Sequence, residues 1–164
     1  MQAWTAAQLA AFLAWAARDG HAHAPAWHVL AHTGMRRGES LARCGPGRGH
    51  REHPPFGKSG KPRVVDIDPP TVAVLRAHRK ARGAVALQLA RDDALVFADH
   101  EGRHLQPEHF SRSFTDALRR CAKQLAAAAP PAIRLHDLRH THATLPLAKP
   151  WSHHDHPCPR GDGA

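Results

Sequence analysis

The sequence contains no tyrosine, and its other aromatic residues are few: four tryptophans and five phenylalanines in 164 residues. No side chain of the chain can therefore supply a phenolic oxygen as nucleophile or proton donor. Cysteine is scarce as well. Cys44, Cys121 and Cys158 are widely spaced and odd in number, which argues against a disulfide framework and gives a reducing cytoplasm as the expected location. No apolar run approaches the ~20 residues of a membrane span, so no membrane partner is expected. Met1 is followed by Gln2, Ala3 and Trp4 rather than by a basic stretch and an apolar segment, so no secretory leader is expected. Lysine is rare: of 23 basic residues only Lys58, Lys61, Lys80, Lys123 and Lys149 are lysines, and 18 are arginines.

What the chain has is positive charge, +9 with histidine neutral and a sequence pI near 10.7. Arginine holds phosphate oxygens in bidentate fashion better than lysine does. A basic chain of this kind is a candidate nucleic-acid binder. An arginine- and alanine-favouring coding bias would give a similar composition, so charge alone does not decide.

Hydrophobic periodicity predicts a mainly helical chain. Thr5-Ala-Ala-Gln8 has the capping-box form and precedes Leu9, Phe12, Leu13 and Ala16 at helical spacing, predicting a helix over 5–18. Pro25 opens a second helix to about His32, Gly34 breaks it, and a short third runs from Arg37 to about Ala42. Residues 44–57 are rich in Gly, Pro, His and Arg without periodicity and read as a loop. Arg63 to Ile67 and Leu95 to Phe97 read as strands of a small antiparallel sheet, giving an α+β class. Pro69-Pro70 starts a helix to about Arg82, and a further helical stretch follows over 84–91. A helix over 107–126 carries the apolar stripe Phe110, Phe114, Ala117, Cys121 and Leu125. The last helix runs from about Asp137 to Ala148, with Leu138, His142 and Leu145 on one side and Pro146 poorly placed within it.

Three segments carry candidate chemistry: Thr33-Gly-Met-Arg-Arg-Gly-Glu39, Lys58-Ser-Gly-Lys-Pro-Arg-Val-Val65, and Leu135-His-Asp-Leu-Arg-His-Thr-His-Ala-Thr144. Singly each is weak. The pattern His-x-x-Arg occurs three times, at His100/Arg103, His109/Arg112 and His136/Arg139, in a chain with 16 histidines. The third copy is better placed: three residues apart at a helix start, His136 and Arg139 share a face, where the helix dipole favours an anion. If Arg36 converges on the same point, two guanidiniums can grip the non-bridging oxygens of one phosphodiester, where charge develops in phosphoryl transfer. A local Arg36–Glu39 ion pair of little consequence is the plain alternative.

Taken in order, the three segments resemble the tyrosine recombinases, or phage-type integrases. Met-Arg-Arg-Gly-Glu is similar to the family's first arginine box, which puts a catalytic arginine at Arg36 and a supporting carboxylate at Glu39. Lys58 resembles the family's hairpin lysine, with Lys61 on the same turn as the alternative. Leu-His-Asp-Leu-Arg-His-Thr-His-Ala-Thr resembles the second box, which puts the catalytic histidine at His136 and the second arginine at Arg139. The resemblance implies the DNA breaking-and-rejoining catalytic fold over residues 1–149, double-stranded DNA as partner together with other recombinase subunits, and no metal, cofactor or small-molecule substrate. The implied reaction is transesterification, in which a tyrosine attacks the scissile phosphate and the lysine protonates the leaving 5′-hydroxyl.

The chain departs from that pattern where the chemistry is hardest. The nucleophile is missing, the segment 43–57 diverges from the family, and 150–164 is expected to be an unstructured tail. The resemblance thus implies an incomplete catalytic domain for recombination and integration, unable to cleave alone, or a DNA-binding protein acting only through backbone phosphates. In the tail, His153, His154, Asp155, His156 and Cys158 are legitimate ligand types, but their spacing matches no closed zinc geometry.

Overall fold

The computed structural model describes residues 2–41, 65–91 and 94–145. Six helices organise them: α1 (Ala6–Arg18), α2 (Ala24–Thr33), α3 (Arg37–Leu41), α4 (Pro69–Val85), α5 (Pro107–Leu125) and α6 (Asp137–Thr144), with short 3-10 turns at Leu87–Ala90 and Ala126–Ala128. The predicted capping box is present. The Thr5 hydroxyl accepts from the Gln8 amide and the Gln8 side chain accepts from the Thr5 amide, which starts α1. α2 is buried through Ala26, Trp27, Val29, Leu30, Ala31 and Thr33, and it packs on α1, α3, α4 and α6. It is the helix around which the others assemble.

The core lies between α1, α2 and α5. Trp4, Phe12, Trp27, Phe110 and Phe114 are almost wholly buried. Phe12 and Phe114 meet edge to face at 5.4 Å and 71°, and Trp27 and Phe114 at 5.5 Å and 75°. Burying each such ring contributes roughly 2–3 kcal/mol, with a further ~1 kcal/mol for a well-oriented pair. Ala117, Leu118 and Cys121 continue the buried stripe of α5. Cys121 is a free thiol at 0% exposure, and burial pushes its pKa up.

The expected small antiparallel sheet is not there. Among the described residues there is no strand, only one isolated antiparallel bridge between Ala98 and His104. The reason is visible in the side chains of α4. Arg79 donates to the Ala90 carbonyl at 2.9 Å, His78 to the Val96 carbonyl at 3.1 Å, and Arg82 to the Ala98 carbonyl at 2.9 Å. The His78 and Arg82 donors occupy carbonyls within and next to the expected strand that a neighbouring strand would otherwise satisfy. Beyond Ala98 the chain turns at once. The Asp99 carboxylate accepts the amides of Glu101 and Arg103 and the Arg103 guanidinium, leaving no length for a ladder. Of the other expected strand, 63 and 64 lie outside the described residues, and 65–67 form no ladder.

α6 ends at Thr144, short of the expected Ala148. Leu145 keeps helical dihedrals as the C-cap, and Pro146 after it has no amide to continue the ladder. Residues 146–164 lie outside the described set, as do 42–64, so the divergent segment 43–57 and the tail are not part of this description. Among the described residues no helix is long and apolar enough to cross a membrane.

Candidate phosphate-binding site

The first box begins where α2 stops. Gly34 takes the left-handed conformation, φ +59°, and its amide donates to the Leu30 carbonyl to close the helix. A second constraint acts at the same atom. A Cβ built on Gly34 would lie 2.5 Å from Cδ2 of His142 on α6. Only glycine both turns here and lets the imidazole in. Thr33 supports the turn, donating to the Val29 carbonyl and accepting from the Met35 amide.

Arg36 stands immediately before α3. Its backbone amide donates to Glu39 Oε2 at 2.8 Å and its Nη1 to Oε1 at 3.0 Å. Glu39 thus fixes both the main chain and the guanidinium. Its side chain is 11% exposed while that of Arg36 is 58% exposed. The arginine is braced at its base with one edge of the guanidinium presented outward. Arg37 points elsewhere: it donates to Ser111 Oγ at 2.7 Å and pairs with Glu108, tying α3 to α5.

The second box forms α6. Asp137 accepts from the Arg134 amide at 3.0 Å and holds the loop before the helix. Thr141 is fully buried and its hydroxyl accepts from the Trp4 amide at 3.1 Å, anchoring the N-terminal segment on α6. The Trp4 indole adds a bond to the Pro131 carbonyl at 2.8 Å. His136 occupies the N-cap position, exposed, with no side-chain capping bond. Its ring lies 5.6 Å from that of His140. Arg139 is half-buried, and its Nη1 is buried with no hydrogen-bond partner. A buried guanidinium nitrogen without an acceptor is costly, on the order of 1–3 kcal/mol or more, and an anion's oxygen would relieve it.

The two boxes, far apart in sequence, thus meet through Gly34 and His142. Arg36 pairs with Glu39 before α3, and His136 and Arg139 stand at the start of α6, which packs on α2. The contact that joins the segments is made by His142, not by the predicted site residues. Lys58 and Lys61 lie outside the described residues. The tail histidines do too, and among the described residues no cluster of His, Cys, Asp or Glu could hold a metal.

Burial sets the electrostatics of the seam. The pKa of His142 is lowered by desolvation first and then by the nearby His32 and Arg139, against the raising effect of its bond to Ala31. His28, one turn before His32, is pushed down to about 4, by burial and then by His32. Sequence reasoning missed His142 and His32 as connecting residues. The available signal was Gly34: a glycine after a helix is ordinary, but a ring-bearing residue that needs its empty side declares itself only in three dimensions.

A separate shallow concavity of about 430 Å³ is lined by His21, His109, Arg112, Ser113, Asp116 and Arg120 and includes neither box. Its charges are largely matched, Arg120 by Asp19 at 2.9 Å and Asp116 by Arg119 at 2.9 Å.

Comparison of the chain with protein-family models, with curated proteins and with solved structures gives no match in any of the three.

Proposed function

We propose that the chain is an integrase-type catalytic domain that grips a DNA backbone phosphate with Arg36, His136 and Arg139 and does not break the strand by itself. The observation that carries this reading is the seating of the first box on the second at Gly34–His142, beside an Arg139 nitrogen that lacks an acceptor. In the implied reaction these groups would steady the charge on the phosphate oxygens, and Lys58, or Lys61, would protonate the leaving hydroxyl. No tyrosine is present to attack, so strand exchange would need that residue from another subunit. Double-stranded DNA is the ligand and the phosphodiester the recognised unit. The excess of arginine and the +9 charge fit this partner.

A salt titration of binding to a short duplex tests it. The logarithm of the association constant should fall with the logarithm of salt by about 0.9 per phosphate neutralised. Arg36→Ala and Arg139→Ala should each reduce that slope by about 1 and weaken binding across sequences. Unchanged slopes in both variants would overturn the reading. A nicked suicide duplex should trap no covalent adduct with the chain alone.

A further inference from the structure

His28 and His32 stand on α2, which packs on α4 and α6, and His142 of α6 lies near His32. His28 and His32 stack on α2 with ring centroids 4.0 Å apart and 16° between planes. His32 Nδ1 donates to the His28 carbonyl at 2.9 Å, and His28 Nε2 bonds Thr71 Oγ1, fully buried in the first turn of α4, at 3.2 Å. His142 completes the group from α6. Its ring fills the space that Gly34 leaves empty. The charged groups facing the three rings are Arg139 on α6 and Asp68, the N-cap of α4.

We propose that His142 is a positioning residue which, only as a neutral ring, holds the Arg36 turn against the Arg139 helix, so that acid weakens phosphodiester binding at this seam. The proposal rests on the phosphate reading above. Its logic is one of placement. A proton on His142 would set a cation beside Arg139 and against the His28–His32 stack, within a packed helix interface. Asp68, the carboxylate coupled to His28 and His32, accepts the Thr71 amide at 3.1 Å. The charged ring is then better solvated outside, and its departure frees the turn that carries Arg36. A histidine that touched the phosphate directly would do the opposite, since gaining a proton strengthens its hold on an anion. His136, which grips the phosphate, is common to wild type and variants, so the ratio of wild-type to His142→Phe affinity isolates the ring that positions.

The experiment measures affinity for a short DNA duplex and, in parallel, the melting of the full chain followed by tryptophan fluorescence, at several pH values from 7.5 to 5. The proteins are the wild type, His142→Ala and His142→Phe. Phenylalanine keeps a flat ring against Gly34 and cannot titrate. Wild-type affinity relative to that of His142→Phe should fall by about threefold or more over the range, because the packed seam disfavours the protonated ring. His142→Ala should bind about tenfold more weakly at pH 7.5, and His142→Phe should restore binding to within about threefold and keep it at pH 5. The same pH profile in wild type and His142→Phe would overturn the proposal. Absence of DNA binding by all three at every pH would refute the phosphate reading and, with it, the binding role of His142. The melts then judge the packing role alone, which stands if wild-type melting drops in acid more than that of His142→Phe and falls if the two drop together. Should His142→Phe not fold, Gly34→Ala, which pushes a methyl into the ring, must reproduce the loss seen in His142→Ala; wild-type affinity in Gly34→Ala would overturn the proposal.

Discussion

The two faces of α2 are held by different physics. On one, Trp27 enters a dry cluster of Trp4, Phe12, Phe110 and Phe114. On the other, His28 bonds Thr71 of α4 and stacks on His32, near His142 of α6. The carbon face is non-directional, with His21 and His23 at its rim. The imidazole face is directional, and burial disfavours charge on His28 and His142. One helix thus carries an attachment through carbon and another through imidazoles, and the candidate phosphate site lies beside the second.

The largest effect that would test this contrast is on the carbon face. Phe12→Ala should lower stability by about 3–5 kcal/mol in a denaturant titration, because the ring is fully buried among four others. Its pH dependence should match that of the wild type.

Acidification should act mainly on the other face. His28 has a folded pKa of about 4 against an ordinary value of 6.5, so the unfolded chain takes up the proton first as pH falls. Its contribution is fully present above about 6.5 and is lost as pH drops toward 4. Because the ring is only half-buried, the loss is on the order of 1 kcal/mol after allowing for solvent screening. His23 is pushed to about 4 as well, by burial and then by His21, but it lies at the rim of the aromatic cluster, its ring 5.2 Å from Phe110. Melts of His28→Phe and His23→Phe against pH apportion the effect. If the acid sensitivity resides in His23 alone, the distinction between the faces breaks.

Gly34→Ala should destabilise by about 1–3 kcal/mol, from the positive φ and the encounter with His142. Combining it with His142→Ala should return about 0.5–1 kcal/mol as a coupling term in a double-mutant cycle. Additivity would mean the two residues do not share the seam. The smallest effect is Thr5→Ala, which removes the α1 cap and should cost about 1 kcal/mol or less by melting, with no change in pH profile.

The parts of the fold legible in the sequence are those fixed by local rules. Thr5 and Gln8 announce α1, Pro25 and Pro107 open α2 and α5, and the stripe Phe110, Phe114, Ala117 and Cys121 is buried as its spacing requires. The sheet was misread because Leu95-Val-Phe97 has strand-like side chains but its neighbours are side-chain donors on α4, not another strand. Likewise the helical stretch expected over 84–91 divides: α4 continues to Val85, and Leu87–Ala90 is a 3-10 turn folded back on it, with Gly83 close enough that an added Cβ would lie 2.9 Å from that of Ala90. At the candidate site the arginine boxes stood out by residue type and order. The histidine that joins them did not, since His142 in sequence is one polar residue on the apolar side of a short helix. Its role depends on Gly34, more than a hundred positions away, having no side chain.

Cys121 gives the carbon face a built-in stopwatch. The thiol sits at 0% exposure in the α5 stripe and burial holds it protonated, so it is inert while the helices stay together. Alkylation at this sulfur, located by peptide mass, then counts how often the aromatic cluster parts. Run at two pH values, the same clock would show whether loosening the imidazole side of α2 ever reaches the other side of the helix.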